Sequence, residues 1–109
     1  MQMINDKDCA FRFGDFGPKY IFRGPKHEWG LIRLKPGDEL GAHYHNEVEE
    51  TFYFLSGKGK IKIMDKEFLI HIGDAFRIEP KEHHNIICQE EMKIIFIKCP
   101  YLPDDKIPL

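Results

Sequence analysis

The sequence predicts an all-β protein, folded as one small barrel or sandwich. Three observations point there. Apolar residues nowhere recur with a helical period. Short runs rich in Ile, Phe and Tyr return about every 8–12 residues. Gly, Pro and Asp turn signals stand between those runs. With 109 residues there is room for one domain and one core. Residues 1–109 are therefore read as a single domain, with 1–18 as a lead-in and 100–109 as an extended tail.

Taken in order, Met1–Pro18 scatters Phe11, Phe13 and Phe16 among Gly and Asp, an irregular lead-in whose aromatics pack onto the barrel. Lys19–Arg23 reads as a short strand between Gly17–Pro18 and Gly24–Pro25 turns. Trp29–Leu34 is the next strand, ended by Pro36–Gly37. Ala42–His45 follows, then the aromatic-rich Glu49–Leu55, broken by Ser56–Gly59. Lys60–Met64 alternates Lys with Ile, giving one wet face and one buried face. Asp65–Lys66 is a hairpin turn from which Glu67–Ile72 returns. After the Gly73–Asp74 turn come Ala75–Ile78, His84–Cys88 and Lys93–Lys98, the last two joined through the polar Gln89–Glu91. Both faces of Glu49–Leu55 carry apolar side chains, so both want cover.

Hydrophobic residues make up 42% of the chain, which argues against disorder. Charged residues make up 31%, so the surface is densely charged. The net charge of −2 is of mixed sign and gives no basic field for nucleic acid or anionic membranes. Cys9, Cys88 and Cys99 form no Cys-x-x-Cys pair, which fits reduced thiols better than a disulfide framework. No apolar leader and no apolar run near about 20 residues is visible. A soluble, cytoplasmic protein is expected.

The chemistry concentrates in Pro36–Gly59. His43 and His45 are two apart, so on a strand they aim at one point, and a carboxylate from the next strand would complete a metal-binding cluster. Gly37, His43, His45, Glu50 and Gly57 together meet the pattern Gly-x5-His-x-His-x4-Glu-x6-Gly. That pattern is the first motif of the cupin family, which the chain resembles from about Trp29 to Lys98. The resemblance implies a jelly-roll β-barrel, which hides its sheet edges.

The family's second motif is Gly-x5-Pro-x-Gly-x2-His-x3-Asn. Anchored on Gly73, it places the ligand histidine at His84, but Glu79, Lys81 and Cys88 stand where the family has Pro, Gly and Asn. His83, on the opposite strand face, is the alternative to His84. Glu49 is the alternative to Glu50, because some cupins use a spacing one shorter after His-x-His. The implied ligand set is His43, His45, Glu50 and His84. It suits one divalent transition ion per chain (Fe, Mn, Ni, Co or Zn) and is too nitrogen-rich for Mg or Ca.

Other residues invite weighing. Cys88 shares a face with His84 and is read first as a small core residue. Arg33 and Arg77 would hold a substrate anion if they pointed inward, but surface ion pairs are the commoner use. Phe52 and Phe54 serve as core or as pocket wall. His27 and His71 have no spacing partners, and Lys58, Lys60 and Lys62 read as a solvated face. No residue plainly supplies a general base beyond the ligands; Glu79 and Tyr53 are the candidates. The expectation is a metal-dependent cupin enzyme (oxygenase, isomerase or lyase) acting on a small polar organic molecule. A non-catalytic module that binds a small ligand and a metal is the second reading. The resemblance also implies a homodimer formed through a sheet.

Overall fold

The computed structural model describes residues 1–109 as one continuous antiparallel sheet that folds over on itself. Its strands are β1 (Gly17–Arg23), β2 (Glu28–Leu34), β3 (His43–Tyr44), β4 (Glu49–Ile63), β5 (Lys66–Ile70), β6 (Ala75–Ile78), β7 (His84–Cys99) and β8 (Ile107–Pro108). A short 3₁₀ turn at Asp6–Asp8, capped by the Asn5 side chain, precedes them.

The organising element is the pairing of β4 with β7, which runs from Glu49 opposite Cys99 to Ile63 opposite His84. Each strand serves two layers. The first part of β4 has β6 on its other edge and the second part has β5. Similarly, Met92–Lys98 of β7 pairs with β2, which carries β1, while His84 pairs with β3, which carries β8.

This corrects the sequence reading at two places. Ser56–Gly59 and Gln89–Glu91 do not end strands; they are the bends of two long ones, of 15 and 16 residues. The register slips between Phe54 and Gly59, so the ribbon turns without losing its pairing. Gly57 is required at that bend. Its φ is +96°, and a Cβ there would lie 2.3 Å from the Glu91 carbonyl oxygen.

Alternation along the bent ribbon sorts the side chains. Phe52, Phe54, Ile61, Ile86, Met92, Ile94 and Phe96 are buried between the layers, with Ile32 and Leu34 of β2 opposite them. Burying side chains of this size contributes roughly 1.5–3 kcal/mol each. Their neighbours Tyr53, Leu55 and Ile97 face outward and stay more than 40% exposed, so no further layer of this chain covers that face.

Both ends of the chain do more than the sequence shows. The lead-in folds back, so that Lys19 Nζ sits 4.2 Å from the Phe11 ring centroid and Lys35 Nζ 4.9 Å from that of Phe16. The tail is not merely extended: Ile107 and Pro108 pair with Tyr44 and His43. No helix is long and apolar enough to cross a membrane.

Candidate metal centre

The sheet brings His43, His45, Glu50 and His84 to one point. His43 on β3 lies directly opposite His84 on β7, and their ring centroids are 4.3 Å apart. His45, two residues on, keeps the same facing. Glu50 enters from β4, between Ile78 and Lys98. All four are buried, and one potential ligand atom from each lies within 4.8 Å of the others. The Glu50 Oε1 atom is 3.2 Å from His45 Nε2, 3.4 Å from His84 Nε2 and 3.9 Å from His43 Nε2.

Backbone carbonyls orient the rings. His43 Nδ1 lies 2.7 Å from Gly41 O, and His84 Nδ1 lies 2.9 Å from Glu82 O. His45 Nδ1 makes a short contact with the carbonyl of Asp105, far along the tail. A carbonyl can only accept, so each Nδ1 donates and each neutral ring turns its Nε2 lone pair to the centre. The Asp105 carboxylate takes the backbone N–H groups of Asn46 (2.9 Å), Glu47 (2.8 Å) and Val48 (2.9 Å), and so ties the tail to the loop between His45 and Glu50.

Three lone pairs and a carboxylate facing one another repel unless a cation or a proton sits among them. His84 Nε2 is the sharpest sign, being buried with no hydrogen-bond partner. Burial pushes the His43 imidazolium down, and the nearby Glu50 and Gly41 oxygens only partly restore it, so the ring favours its neutral, ligating form. For Glu50, burial alone would raise the carboxyl; hydrogen bonds from His43, His45 and His84 when a proton sits on an inward ring nitrogen, with Lys98 behind them, outweigh it and hold the group well below the usual carboxylate range, so the carboxylate stays ionised with a proton or a cation among the four. A divalent transition ion fits this donor set of imidazole nitrogens and one anionic oxygen.

The family model described as "Cupin domain" matches residues 30–98. The chain belongs to the cupin family. An uncharacterised protein of Methanocaldococcus jannaschii is 28% identical over 83 residues, which cover 76% of this chain and 66% of that protein. The L-ectoine synthase of Wolinella succinogenes is 26% identical over 73 residues, 65% of this chain and 55% of that enzyme. The chain thus spans between half and two thirds of the length of these curated relatives. Among solved structures, a double-stranded β-helix protein of Klebsiella pneumoniae superposes with a TM-score of 0.78 at 15% identity, covering 93% of this chain and 91% of that one.

The two open choices in the cupin motifs fall on one side in the structure. His83 is exposed and stacks on Tyr44 with centroids 4.8 Å apart, while His84 points into the centre. Glu49 lies on the outer face with Arg77 at 3.5 Å, while Glu50 points inward. The departures in the second motif fall on its turn. Lys81, where the cupin pattern has glycine, adopts φ +71°. Cys88, where the pattern has asparagine, is a core residue, its Sγ 3.0 Å from Glu90 O.

Other candidates lie elsewhere. Arg33 pairs with Glu91 at 2.7 Å and Arg77 with Glu49, both away from the cluster. Phe52 and Phe54 are fully buried core. Tyr53 is 41% exposed on the outer face and Glu79 sits exposed in a turn, so neither reaches the centre as an acid or base. His27, His71, Lys58 and Lys62 are at the surface.

Sequence reasoning missed a cavity of 230 Å³ that His43 and Glu50 share with Arg12, Tyr20, Lys98 and Lys106. For Lys98 a signal existed: Met92, Ile94 and Phe96 point inward, so the same parity carries Lys98 in. Arg12 and Lys106 come from the lead-in and the tail, where no periodicity predicts direction.

Proposed function

We propose that this cupin is a metal-dependent enzyme. It holds one divalent transition ion (Fe, Mn, Ni, Co or Zn) per chain at His43, His45, Glu50 and His84, and acts on a small polar organic molecule in the adjoining cavity. The observation that carries this reading is the convergence of three inward Nε2 atoms on the Glu50 carboxylate, with His84 Nε2 left unpartnered. Similarity to a protein named as a synthase favours chemistry over a purely structural ion.

The ion would supply Lewis acidity toward a substrate oxygen, and a redox-active ion would add electron transfer. The chain's own contribution is positional. Carbonyls fix the three rings before binding, which lowers the cost of ordering them. Ile32, Leu34 and Phe96 make part of the cavity wall apolar, which strengthens electrostatic contacts beside it. The exposed Tyr53, Leu55 and Ile97 fit a homodimer formed through the outer face of the sheet; sedimentation showing a monomer at micromolar concentration would remove that part.

The test is metal content of protein purified without chelator or metal resin, followed by reconstitution with Fe(II), Mn(II), Ni(II) and Zn(II). Near-stoichiometric metal that disappears in His45→Ala is expected. A chain that neither retains nor binds metal would overturn the proposal. Metal without turnover across oxygen-uptake, isomerase and lyase assays would leave a ligand-binding module.

A further inference from the structure

Arg12, Lys98 and Lys106 meet at the cavity from three separate parts of the chain: the lead-in, the end of β7 and the tail before β8. We infer that they bind an oxyanion group, a carboxylate or a phosphate, carried by the substrate. This rests on reading the cavity as the substrate site.

Arg12 and Lys106 are exposed and Lys98 is half-buried, yet all three line one cavity. Tyr20 is shared by Arg12 and Lys98. Its hydroxyl is 3.1 Å from Arg12 Nη2, and its ring centroid is 5.8 Å from Lys98 Nζ. Neither Arg12 nor Lys106 has a carboxylate within 4.0 Å. Lys98 has Glu28, but at 3.8 Å, and that carboxylate is already bonded by Arg23 at 2.9 Å. The side chain of Lys98 is only 15% exposed. Lys106 is an exposed residue, but partial burial of its ammonium, with Lys98 and Arg12 nearby, pulls that group below its ordinary range, and Glu50 only partly offsets them. Apart from Glu50 of the histidine cluster, the acids of the same cavity are engaged elsewhere: Asp38 accepts from Lys35 N at 2.8 Å and Glu39 from Asn85 Nδ2 at 2.7 Å.

Like charges gathered at a partly desolvated wall repel, and a bound anion relieves that repulsion while gaining charge-assisted hydrogen bonds. Because His43 and Glu50 line the same cavity, an oxyanion anchored there places the rest of the molecule beside the metal cluster. The small volume suits a metabolite-sized acid rather than a polymer.

Calorimetric titration of the full chain, both Zn(II)-reconstituted and chelator-treated, with succinate, inorganic phosphate and the neutral succinamide tests this. Arg12→Met, Lys106→Met and the double variant are compared with Lys62→Met, which removes an exposed lysine remote from the cavity. Succinate or phosphate should bind, succinamide should not, and each cavity variant should weaken binding about tenfold with zinc content unchanged. The tighter of the two anions identifies the group as carboxylate or phosphate. Equal binding of succinamide, or wild-type affinity in the double variant, overturns the inference. Zinc held without anion binding overturns it too and leaves the proposed function standing. Anion binding by a chain that retains none of Fe(II), Mn(II), Ni(II) and Zn(II) supports it while overturning the metal centre.

Discussion

His43 and His84 are held by carbonyls two residues away, whereas His45 is held by a carbonyl 60 residues downstream. The first two depend on the strand each sits beside, so they are oriented wherever the sheet forms. The third depends on the tail docking. One candidate centre therefore contains two locally fixed histidines and one that waits on a distant segment, and the latter shares its surroundings with Lys106, the tail's contribution to the cavity.

The largest effects should come from the inward positions themselves. His84→Ala or Glu50→Ala should weaken metal binding by more than about 100-fold, beyond the usual effect of losing a supporting contact. His83→Ala should leave it unchanged, because that ring stacks on Tyr44 at the surface. Metal content after dialysis against a chelator reads this directly. Retention by His84→Ala with loss in His83→Ala would reverse the register of β7 and remove the locally fixed partner from the comparison.

Next comes the tail. Asp105→Ala removes an acceptor from three backbone N–H groups, at a cost of about 1–3 kcal/mol, and frees the carbonyl that steers His45. Metal affinity should fall about tenfold, with Asp105→Asn in between. Glu82→Ala is the matched local control. It loses only the side-chain contact to Glu79 N, while the Glu82 carbonyl that steers His84 stays in place. Equal losses of metal affinity from Asp105→Ala and Glu82→Ala would mean that the tail clamp is no different from the local one.

Acid should act in one direction on both kinds of ligand. The folded protein holds His43 below its ordinary 6.5, so as pH falls below 6.5 the unfolded chain takes the proton first and stability drops. Glu50 is held well below 4.5; its contribution is present above about pH 4.5 and is lost as pH falls through the lower folded value. Urea unfolding of chelator-treated protein should therefore show falling stability from pH 7.5 to pH 4, and metal should be released over the upper part of that range. Stability that rises on acidification would contradict both assignments.

What was legible in the sequence follows from which interactions are local. His43, His45 and Glu50 could be read because strand parity and motif spacing fix facing within a few residues. His84 was legible through its distance from Gly73, although the turn before it has lost its Pro and Gly. The bends at Gly57 and Gln89–Glu91 were read as turns, since a bulge and a turn use the same Gly and polar residues; only the partner strand shows that pairing continues. Asp105, Lys106 and Arg12 were not legible at all. They reach His45 and the neighbouring cavity only because the two ends of the chain fold back over the sheet, and no local period encodes that.

The smallest expected effect separates the tail's hold on His45 from a second one. Lys81 N donates to the His45 carbonyl oxygen at 2.6 Å, so the turn before β7 also touches this ligand. Lys81 does so at φ +71°, a conformation that costs a side-chain-bearing residue roughly 1–2 kcal/mol. Glycine removes that cost but adds about 0.5–1 kcal/mol of backbone entropy. Lys81→Gly should therefore stabilise the fold by about 0.5 kcal/mol, a rise in Tm of about 2–4 °C. Metal affinity should not change, since the N–H remains and Asp105 still steers the ring. A clear loss of affinity would show that the stiffness of this turn, and not the tail alone, positions His45.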